Sequence, residues 1–244
     1  AALSGDGPYS MAPHRPGVAV AVIDTGASPS LFEDTGDYIS KYDYVNDDTD
    51  AADDAVFAGY HGTRVAQLIR AKWDNASGIA GILGTVDLRV LVYKCLDRTG
   101  AGSSADAMQA MRDAADSGVR VINVSLGERA TTTEYGSTPD PALRAQWEDT
   151  VDYCREKGAL VVAASGNDAD KGYAPVYYPA ACDGALAVGS VDVSSGARSS
   201  FSCYGPQLDL VAPGQFSPSP KTGVWTIPPS GVPDRISVGT SFST

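Results

Sequence analysis

The chain has 244 residues, of which 43% are hydrophobic and 20% are charged, and its formal net charge is −12. This composition is typical of a folded globular protein. The acidic balance argues against nucleic acid as a partner, because phosphate binding requires a basic face. The sequence contains no apolar run of about eighteen residues or more, so we expect no membrane segment.

Six short apolar runs predict β-strands. The first, Gly17–Ile23, is continuously apolar, which is typical of a strand buried on both faces of a parallel sheet. The later runs are Leu88–Tyr93, Val119–Val124, Ala159–Ala164, Ala185–Val191 and Leu208–Ala212. Glycine-, proline- and serine-rich stretches, notably Gly214–Pro233, are expected to be loops.

Three segments between these runs are predicted to be helices, namely His61–Lys72, Ser104–Ser117 and Pro141–Lys157, and the last two carry apolar residues at helical spacing. The second and third are each followed by a glycine, which is a common signal for a helix C-terminus. Strands alternating with helices predict an α/β fold, a single parallel sheet covered by helices on both faces. In such a sheet, ligands bind beyond the carboxyl ends of the strands.

Three residues near element ends have the chemistry of a catalytic triad. Asp24 ends the first apolar run, His61 opens a predicted helix, and Ser241 lies in a Gly-Thr-Ser turn. A serine hydroxyl is a poor nucleophile without a base. A histidine can be that base, and a buried aspartate can hold its tautomer. Each residue alone also fits a cap, a backbone contact or a chance occurrence, so the prediction depends on their combination.

Two other enzyme classes fit the sequence less well. Asp24-Thr25-Gly26 also matches the motif of aspartic proteases, but those need a second such aspartate. Asp116-Ser117-Gly118 is better interpreted as a helix C-cap, and aspartic proteases are mostly antiparallel β, unlike the alternation of strands and helices predicted here. A nucleotide-binding protein would need a G-x-G-x-x-G or G-x-x-x-x-G-K-S/T motif after a strand, and the sequence has neither.

Four cysteines stand far apart, at Cys95, Cys154, Cys182 and Cys203. None forms a C-x-x-C pair, so a zinc site is not indicated. Two disulfides and four free buried thiols both remain compatible with the sequence. The acidic stretch Asp43–Asp54 offers oxygen ligands for calcium but lacks the fixed spacing of a known loop, which favours a solvated acidic loop.

Several segments together resemble the subtilisin-like serine proteases. VAVIDTG, HGTRVA and GTSFS are similar to the three active-site motifs of that family, and VVAASGN is similar to the segment that carries its oxyanion asparagine, here Asn167. VINVSLG, DNASGIAGI, YYPAACDGALAVGSVD and SSFSCYGPQLDLVAPG also match family segments in the same order. The resemblance covers nearly the whole chain.

The resemblance implies a three-layer fold around a parallel sheet of about seven strands, and peptide hydrolysis through an acyl-enzyme. Asp24, His61, Ser241 and Asn167 would be the catalytic residues. No cofactor would be needed for the chemistry, although a structural calcium ion is frequent in the family, with one loop near Asp74–Ile79. The expected partners are a peptide or protein substrate and a propeptide or inhibitor. The expected location is secreted or extracytoplasmic.

The sequence departs from the family pattern in two places. Arg64 and Gln67 replace the second histidine and the glycine of the usual HGTHVAG phrase, a change that leaves the triad intact. In the family the serine begins a long buried helix, whereas this sequence stops at Thr244. We therefore expect residues 1–244 to be a peptidase domain without the following C-terminal helices. A non-catalytic or truncated domain that acts as a binding module is the alternative function.

Substrate contacts also follow from the resemblance. An extended peptide is expected to pair with Gly100 and Gly102 on one side and with Ser125, Leu126 and Gly127 on the other. The latter segment and the segment Ala164, Ser165 and Gly166 would form the walls of the pocket for the P1 side chain. Tyr177 would stand at its base and favour small P1 residues. Its ring could instead point into the core, or its hydroxyl could bind a polar P1 group. The wall segments contain no acidic residue, so strict Arg or Lys selectivity at P1 is not expected.

Overall fold

The computed structural model describes residues 18–28, 38–73, 78–85, 87–131, 140–215, 224–226 and 235–244. Nine strands are described: β1 (Val18–Asp24), β2 (Tyr38–Asp43), β3 (Leu88–Lys94), β4 (Val121–Val124), β5 (Leu160–Ala164), β6 (Ala185–Asp192), β7 (Leu210–Gln215), β8 (Val224–Thr226) and β9 (Arg235–Ser237). The described α-helices are α1 (His61–Arg70), α2 (Ser104–Asp116) and α3 (Pro141–Glu156).

Seven strands form one parallel sheet in the order β2-β3-β1-β4-β5-β6-β7. Strands β8 and β9 form a separate antiparallel pair. The seven-stranded parallel sheet confirms the predicted fold class. Its carboxyl ends lie along one edge, where β1, β4 and β5 run directly into candidate site residues.

Helices cover both faces of this sheet. On one face, Ala21 and Ile23 of β1 pack in a cluster with Met111 of α2 and Trp147 of α3. On the other face, Val22 of β1 packs in a cluster with residues of α1. Successive side chains of a strand point to opposite faces, so this arrangement explains why the β1 run is apolar at every position. The result is a three-layer α/β/α arrangement.

The structure differs from the sequence-based expectations at three strands. Strand β2 was not predicted, because its residues are half-buried rather than continuously apolar. Strand β8 lies inside the stretch expected to be a loop, and the short β9 follows it. The helix ends agree to within two residues of prediction. Helix α2 ends before Gly118, which has a φ of 77°, a left-handed conformation that glycine adopts without strain.

Candidate active site

Asp24 and His61 are in direct contact where β1 meets α1. Asp24 is fully buried, and its Oδ1 accepts a hydrogen bond of 2.7 Å from the Thr25 backbone N–H. The Nδ1 atom of His61 lies 2.8 Å from Oδ1 and 3.0 Å from Oδ2 of Asp24. The structure therefore brings together the first two residues of the predicted triad.

Gly62 allows this close approach of helix and strand. A Cβ atom at this position would lie 2.2 Å from the Gly26 carbonyl oxygen and 2.9 Å from the Asp24 Cβ. The Gly62 N–H also donates to Thr25 Oγ1 at 2.9 Å. Any side chain at residue 62 would push the start of α1 away from β1 and lengthen the contact between His61 and Asp24.

Electrostatics favours a proton on the His61 ring. Burial by itself would lower the pKa of His61, because it disfavours the charged imidazolium. The charge of Asp24 and the hydrogen bond to it act in the opposite direction and outweigh burial, so the pKa of His61 is raised above its ordinary value. The pair can thus take up a proton more readily than a free histidine at neutral pH.

A second buried carboxylate, Asp53, holds the first turn of α1. Its Oδ2 accepts hydrogen bonds from the Thr63 N–H at 3.0 Å and from the Thr63 hydroxyl at 2.6 Å. Burial raises the pKa of Asp53, although the hydrogen bonds from Thr63 oppose that shift. No sequence pattern indicated this contact, because Asp53 is one of several acidic residues in the same stretch.

Ser241 lies in a short 3-10 turn, Thr240–Phe242, and is 9% exposed. Its Oγ donates a hydrogen bond of 2.8 Å to the Ser125 carbonyl oxygen. In return, the Ser125 hydroxyl donates to the Ser241 carbonyl oxygen at 3.0 Å. These reciprocal bonds hold the serine turn at the end of β4. The ring of the neighbouring Phe242 lies 5.3 Å from the His61 ring, measured between centroids.

Asn167 follows β5 and is oriented by the residue before the serine. Its Oδ1 accepts hydrogen bonds from the Thr240 backbone N–H at 2.9 Å and from the Thr240 hydroxyl at 3.1 Å. Because Oδ1 accepts these two bonds, the Asn167 amide Nδ2 can donate hydrogen bonds to other acceptors. The preceding Gly166 has a φ of 105°, which a residue with a side chain would adopt only under strain.

One cleft of about 560 Å³ brings most of the predicted site residues together. His61, Ser241 and Asn167 line it, and so do the predicted substrate-binding residues Gly100, Gly102, Ser125, Leu126, Gly127, Ala164, Gly166 and Tyr177. Ser165 does not line it. That residue is fully buried, and its N–H donates to the Val188 carbonyl oxygen within the sheet.

Tyr177 lies between the two predicted walls of the P1 pocket. A Cβ atom at Gly166 would be 2.6 Å from the Tyr177 ring, and one at Gly127 would be 3.2 Å from the Tyr177 Cβ. The Tyr177 hydroxyl donates to Asp168 and accepts a bond of 3.1 Å from Arg129 Nε. The ring therefore occupies the space between the walls, and its hydroxyl is already bonded within the protein.

Asp168 is an acidic residue of the cleft that the sequence interpretation missed, although it directly follows Asn167. Arg129 lies 2.5 Å from it and Lys171 lies 2.8 Å from it. Burial alone would raise the pKa of Asp168, but hydrogen bonds from Lys171, Tyr177 and Arg129 lower it to about 2. Its charge is thus neutralised by two cationic side chains. Glu128, which follows Gly127, is the second cleft carboxylate that was missed.

The acidic stretch after β2 makes its bonds within the protein. Lys94 Nζ lies 3.0 Å from Asp43 Oδ2 and 2.8 Å from Asp54 Oδ1. Asp47 accepts a hydrogen bond from Tyr42, and Asp48 accepts one from the Asp50 N–H. Within the described residues, no group of three or more His, Cys, Asp or Glu side chains could hold a metal ion. Carboxylates of this stretch thus bond to protein groups, and most of the other candidate loop, at 74–77, lies outside the described residues.

The four cysteines are buried and free. Burial raises the pKa of the Cys154 thiol to about 11 and that of Cys182 to about 12. These thiols behave as small apolar core groups rather than as reactive ones. Across the described part of the chain, the helices are too short or too polar to cross a membrane.

Comparison with known proteins identifies the family. A family model described as "Subtilase family" matches residues 15–244. The chain is 39% identical over 207 residues to a thermophilic serine proteinase from Bacillus sp. (strain AK1), covering 85% of this chain and 46% of that protein. It is 32% identical over 200 residues to thermitase from Thermoactinomyces vulgaris, covering 82% of this chain and 64% of thermitase.

Solved structures agree with this assignment. A cold adapted subtilisin-like serine proteinase matches with a TM-score of 0.70 and 28% identity, over 93% of this chain and 71% of that one. A protease from Pseudoalteromonas arctica matches with a TM-score of 0.73 and 29% identity, over 93% and 74%. The chain spans 46% and 64% of the two curated relatives named above. Sequence, fold and site geometry agree, and this chain belongs to the subtilase family.

Proposed function

We propose that the protein is a serine endopeptidase in which Ser241 is the nucleophile, His61 the general base and acid, and Asp24 the residue that orients His61. The observation that carries this proposal is the direct contact between buried Asp24 and His61, beside a cleft that His61, Ser241 and Asn167 line. The names of the relatives, a serine proteinase and thermitase, support the same activity.

In this mechanism, Ser241 Oγ attacks the scissile carbonyl carbon while His61 Nε2 takes its proton. Rotation about the Cα–Cβ bond of Ser241 redirects the hydroxyl from the Ser125 carbonyl towards the histidine. Asp24 stabilises the imidazolium that forms. The side-chain amide of Asn167 and the Ser241 backbone N–H hold the oxyanion. The leaving amine then takes the proton from His61, and water hydrolyses the acyl-enzyme by the reverse sequence.

The substrate in this proposal is an extended peptide that adds a strand beside residues 125–127 and 100–102. Within the described residues, the backbone N–H and C=O of Gly127 make no hydrogen bond, so both can bond to a peptide. Gly102 packs against the backbone, since a Cβ there would lie 2.1 Å from the Cys95 carbonyl oxygen. Glycine at both positions permits the close approach of a second backbone.

The labelling of the serine tests the activity. An active-site fluorophosphonate should label the full-length protein at Ser241, and the Ser241→Ala variant should not be labelled at all. Peptide hydrolysis should disappear in the same variant. Equal labelling of the variant would reject Ser241 as the nucleophile. Absence of labelling in the folded wild type would favour the alternative of a non-catalytic binding module.

The proposal includes a preference for small P1 side chains, because the Tyr177 ring occupies the space between the pocket walls. A large P1 side chain would have to displace this ring, at a cost of about 1–3 kcal/mol. In a library of peptides that differ only at P1, we expect wild type to favour Ala over Phe. Tyr177→Gly should gain activity on Phe, by about tenfold or more.

The Tyr177→Phe variant is the matched control for this test. It keeps the ring but loses the hydroxyl bonds to Asp168 and Arg129. If the ring is the cause, this variant should retain the preference for small P1 residues. A wild type that already prefers Phe at P1 would contradict the assignment.

The location and the protein partners belong to the same proposal and rest on the family resemblance. We infer a secreted or extracytoplasmic protein that acts on peptide or protein substrates and is held by a propeptide or inhibitor before use. The measurement is the amount of the protein in the culture medium compared with that inside the cells. A protein found only inside the cells would contradict the inferred location.

A further inference from the structure

The cleft has a second compartment, on the opposite side of residues 125–128 from Tyr177. Gly127 faces Tyr177, because a Cβ atom on Gly127 would lie 3.2 Å from the Tyr177 Cβ. Glu128 instead contacts Ser104 at the start of α2 and Trp147 of α3. Neighbouring residues of an extended segment point to opposite sides, so residues 127 and 128 face different compartments.

Apolar groups line most of this second compartment. Leu96, Leu126 and Trp147 line the cleft here, and Ala107 of α2 contributes only a methyl group. Side chains of this kind accommodate the hydrocarbon stem of a long side chain. An alanine at position 107 leaves room that a larger residue on the same helix face would fill.

The polar group of this compartment is the Glu128 carboxylate. Its Oε1 accepts hydrogen bonds from the Ser104 hydroxyl and, at 2.7 Å, from Trp147 Nε1. Both donors are neutral. Among the described residues, Oε2 of Glu128 makes no hydrogen bond, and no Lys, Arg or His side chain forms an ion pair with the carboxylate. One oxygen is thus fixed, and the other can accept a bond from a ligand.

The two described carboxylates that line the cleft, Asp168 and Glu128, differ in whether a cationic side chain lies beside them. Asp168 has Arg129 and Lys171 beside it, so its charge is compensated within the protein. Glu128 has no such cationic partner in the described part of the chain. Bringing a cation to Glu128 would therefore complete an ion pair in a partly desolvated compartment, where it is stronger than in water.

We propose that Glu128 binds a cationic substrate side chain, lysine or arginine, on the acyl side of the scissile bond. This inference rests on the proposed function. Side chains of an added strand alternate, so P1 faces Tyr177, while P2 and P4 face the second compartment. Glu128 stands three residues beyond Ser125, which contacts Ser241, a span of roughly 10 Å in extended chain. That span matches the offset of three positions from P1 to P4, and it selects P4.

The test compares two peptide substrates that differ only at P4, where one has lysine and the other norleucine, which keeps the stem but lacks the ammonium. For wild type we expect kcat/KM to be about tenfold to a hundredfold higher for lysine. Raising the salt concentration should reduce this ratio. In Glu128→Gln the ratio should fall to near one, since Gln retains an oxygen for Ser104 and Trp147 but carries no charge.

Glu148→Gln is the matched control. It removes a carboxylate from a residue of α3 that pairs with Arg144 and does not line the cleft, so it should keep the wild-type ratio. A wild-type ratio near one, or an unchanged ratio in Glu128→Gln, would overturn the proposal. If Glu128→Gln does not fold, the wild-type ratio of kcat/KM and its salt dependence still test whether the cleft prefers a cation at P4.

A binding measurement separates this inference from the proposed function. If the wild-type protein hydrolyses neither peptide and resists fluorophosphonate labelling, the endopeptidase proposal fails. The dissociation constants of the two peptides for the Ser241→Ala protein then test Glu128 by themselves. Tighter binding of the lysine peptide, lost in the Glu128→Gln/Ser241→Ala double variant, supports the cation site. Equal dissociation constants contradict it.

Discussion

Two buried carboxylates end strands at the same edge of the sheet, but their partners differ. Asp43 ends β2 and Asp24 ends β1, and both are in register with Lys94, the last residue of β3 between them. Asp43 pairs with Lys94 at 3.0 Å, and Asp24 pairs with His61 at 2.8 Å. Both carboxylates are fully shielded from solvent.

The partner decides what each pair can do. Burial alone would lower the pKa of Lys94, but its hydrogen bonds to Asp54 and Asp43 raise it above its ordinary value, so this cation stays charged. A histidine titrates near neutral pH. The side chain of His61 is 23% exposed and that of Lys94 is 2% exposed. The first pair can therefore exchange protons with a ligand in the cleft, whereas the second acts as a fixed structural contact.

The largest expected effect is a fall in kcat when the contact between Asp24 and His61 is disrupted. In Asp24→Asn, the side-chain amide would donate to His61 Nδ1 and move the ring proton to Nε2, the atom that must accept from Ser241. We expect kcat to fall by about 10⁴-fold, with the fold retained. The measurement is peptide hydrolysis together with circular dichroism. A folded variant with near wild-type kcat would mean that Asp24, like Asp43, has only a structural role.

Breaking the Asp43 pair should affect stability instead of turnover. Asp43→Asn leaves Lys94 buried with only Asp54, which is 59% exposed. We expect a loss of about 3 kcal/mol in the free energy of unfolding, the lower end for a broken buried pair because Asp54 remains. Denaturant unfolding of the Ser241→Ala form, which avoids self-digestion, measures this loss.

The double variant Asp43→Asn/Lys94→Met is the control for that measurement. Because it removes both charges, it should lose less stability than the sum of the two single variants. Additive losses would show that the two side chains do not interact across the strand ends. A large fall in kcat for Asp43→Asn would contradict the division between the structural and the catalytic pair.

The smallest expected effect is on the pH dependence of kcat/KM and of stability, which tests whether the Asp24–His61 pair titrates as the Asp43–Lys94 pair does not. The raised pKa of His61 means that the neutral base needed for catalysis forms only above the ordinary value of about 6.5. The kcat/KM profile should therefore have its acid limb above that pH. Conversely, the stability that protonated His61 contributes is fully present below about pH 6.5 and is lost as pH rises through the folded pKa.

Measurements of kcat/KM between about pH 5 and 9 would check the position of the acid limb. Unfolding of the Ser241→Ala form over the same range would check the opposite trend in stability. In Asp24→Asn the acid limb of the residual activity should move to lower pH, because the charge that raises the pKa of His61 is gone. An acid limb well below about pH 6 in wild type would contradict the charge assignment.

Two strands that the sequence predicted, β1 and β3, differ in burial from β2, one of the strands that it missed. Strands β1 and β3 are buried on both faces, and a continuous apolar run reports that directly. Strand β2 lies at the edge of the sheet and is half-buried, so its residues alternate too weakly to be recognised. Strand β7 lies at the opposite edge and was still predicted, because its sequence carries a short apolar run, whereas the apolar residues of β2 are interrupted.

The sequence by itself determined the family, the parallel sheet and the identity of the residues proposed for catalysis. Short apolar runs indicate the sheet, and local motifs around Asp24, His61 and Ser241 identify the family and the site residues. Only the tertiary structure decided how the charges of the site are paired. Lys94 contacts Asp43, and Arg129 contacts Asp168, whereas the donors to Glu128 within the described part of the chain are neutral. These partners lie far apart in the chain, so strand register and helix packing determine them, and no local pattern of residues encodes them.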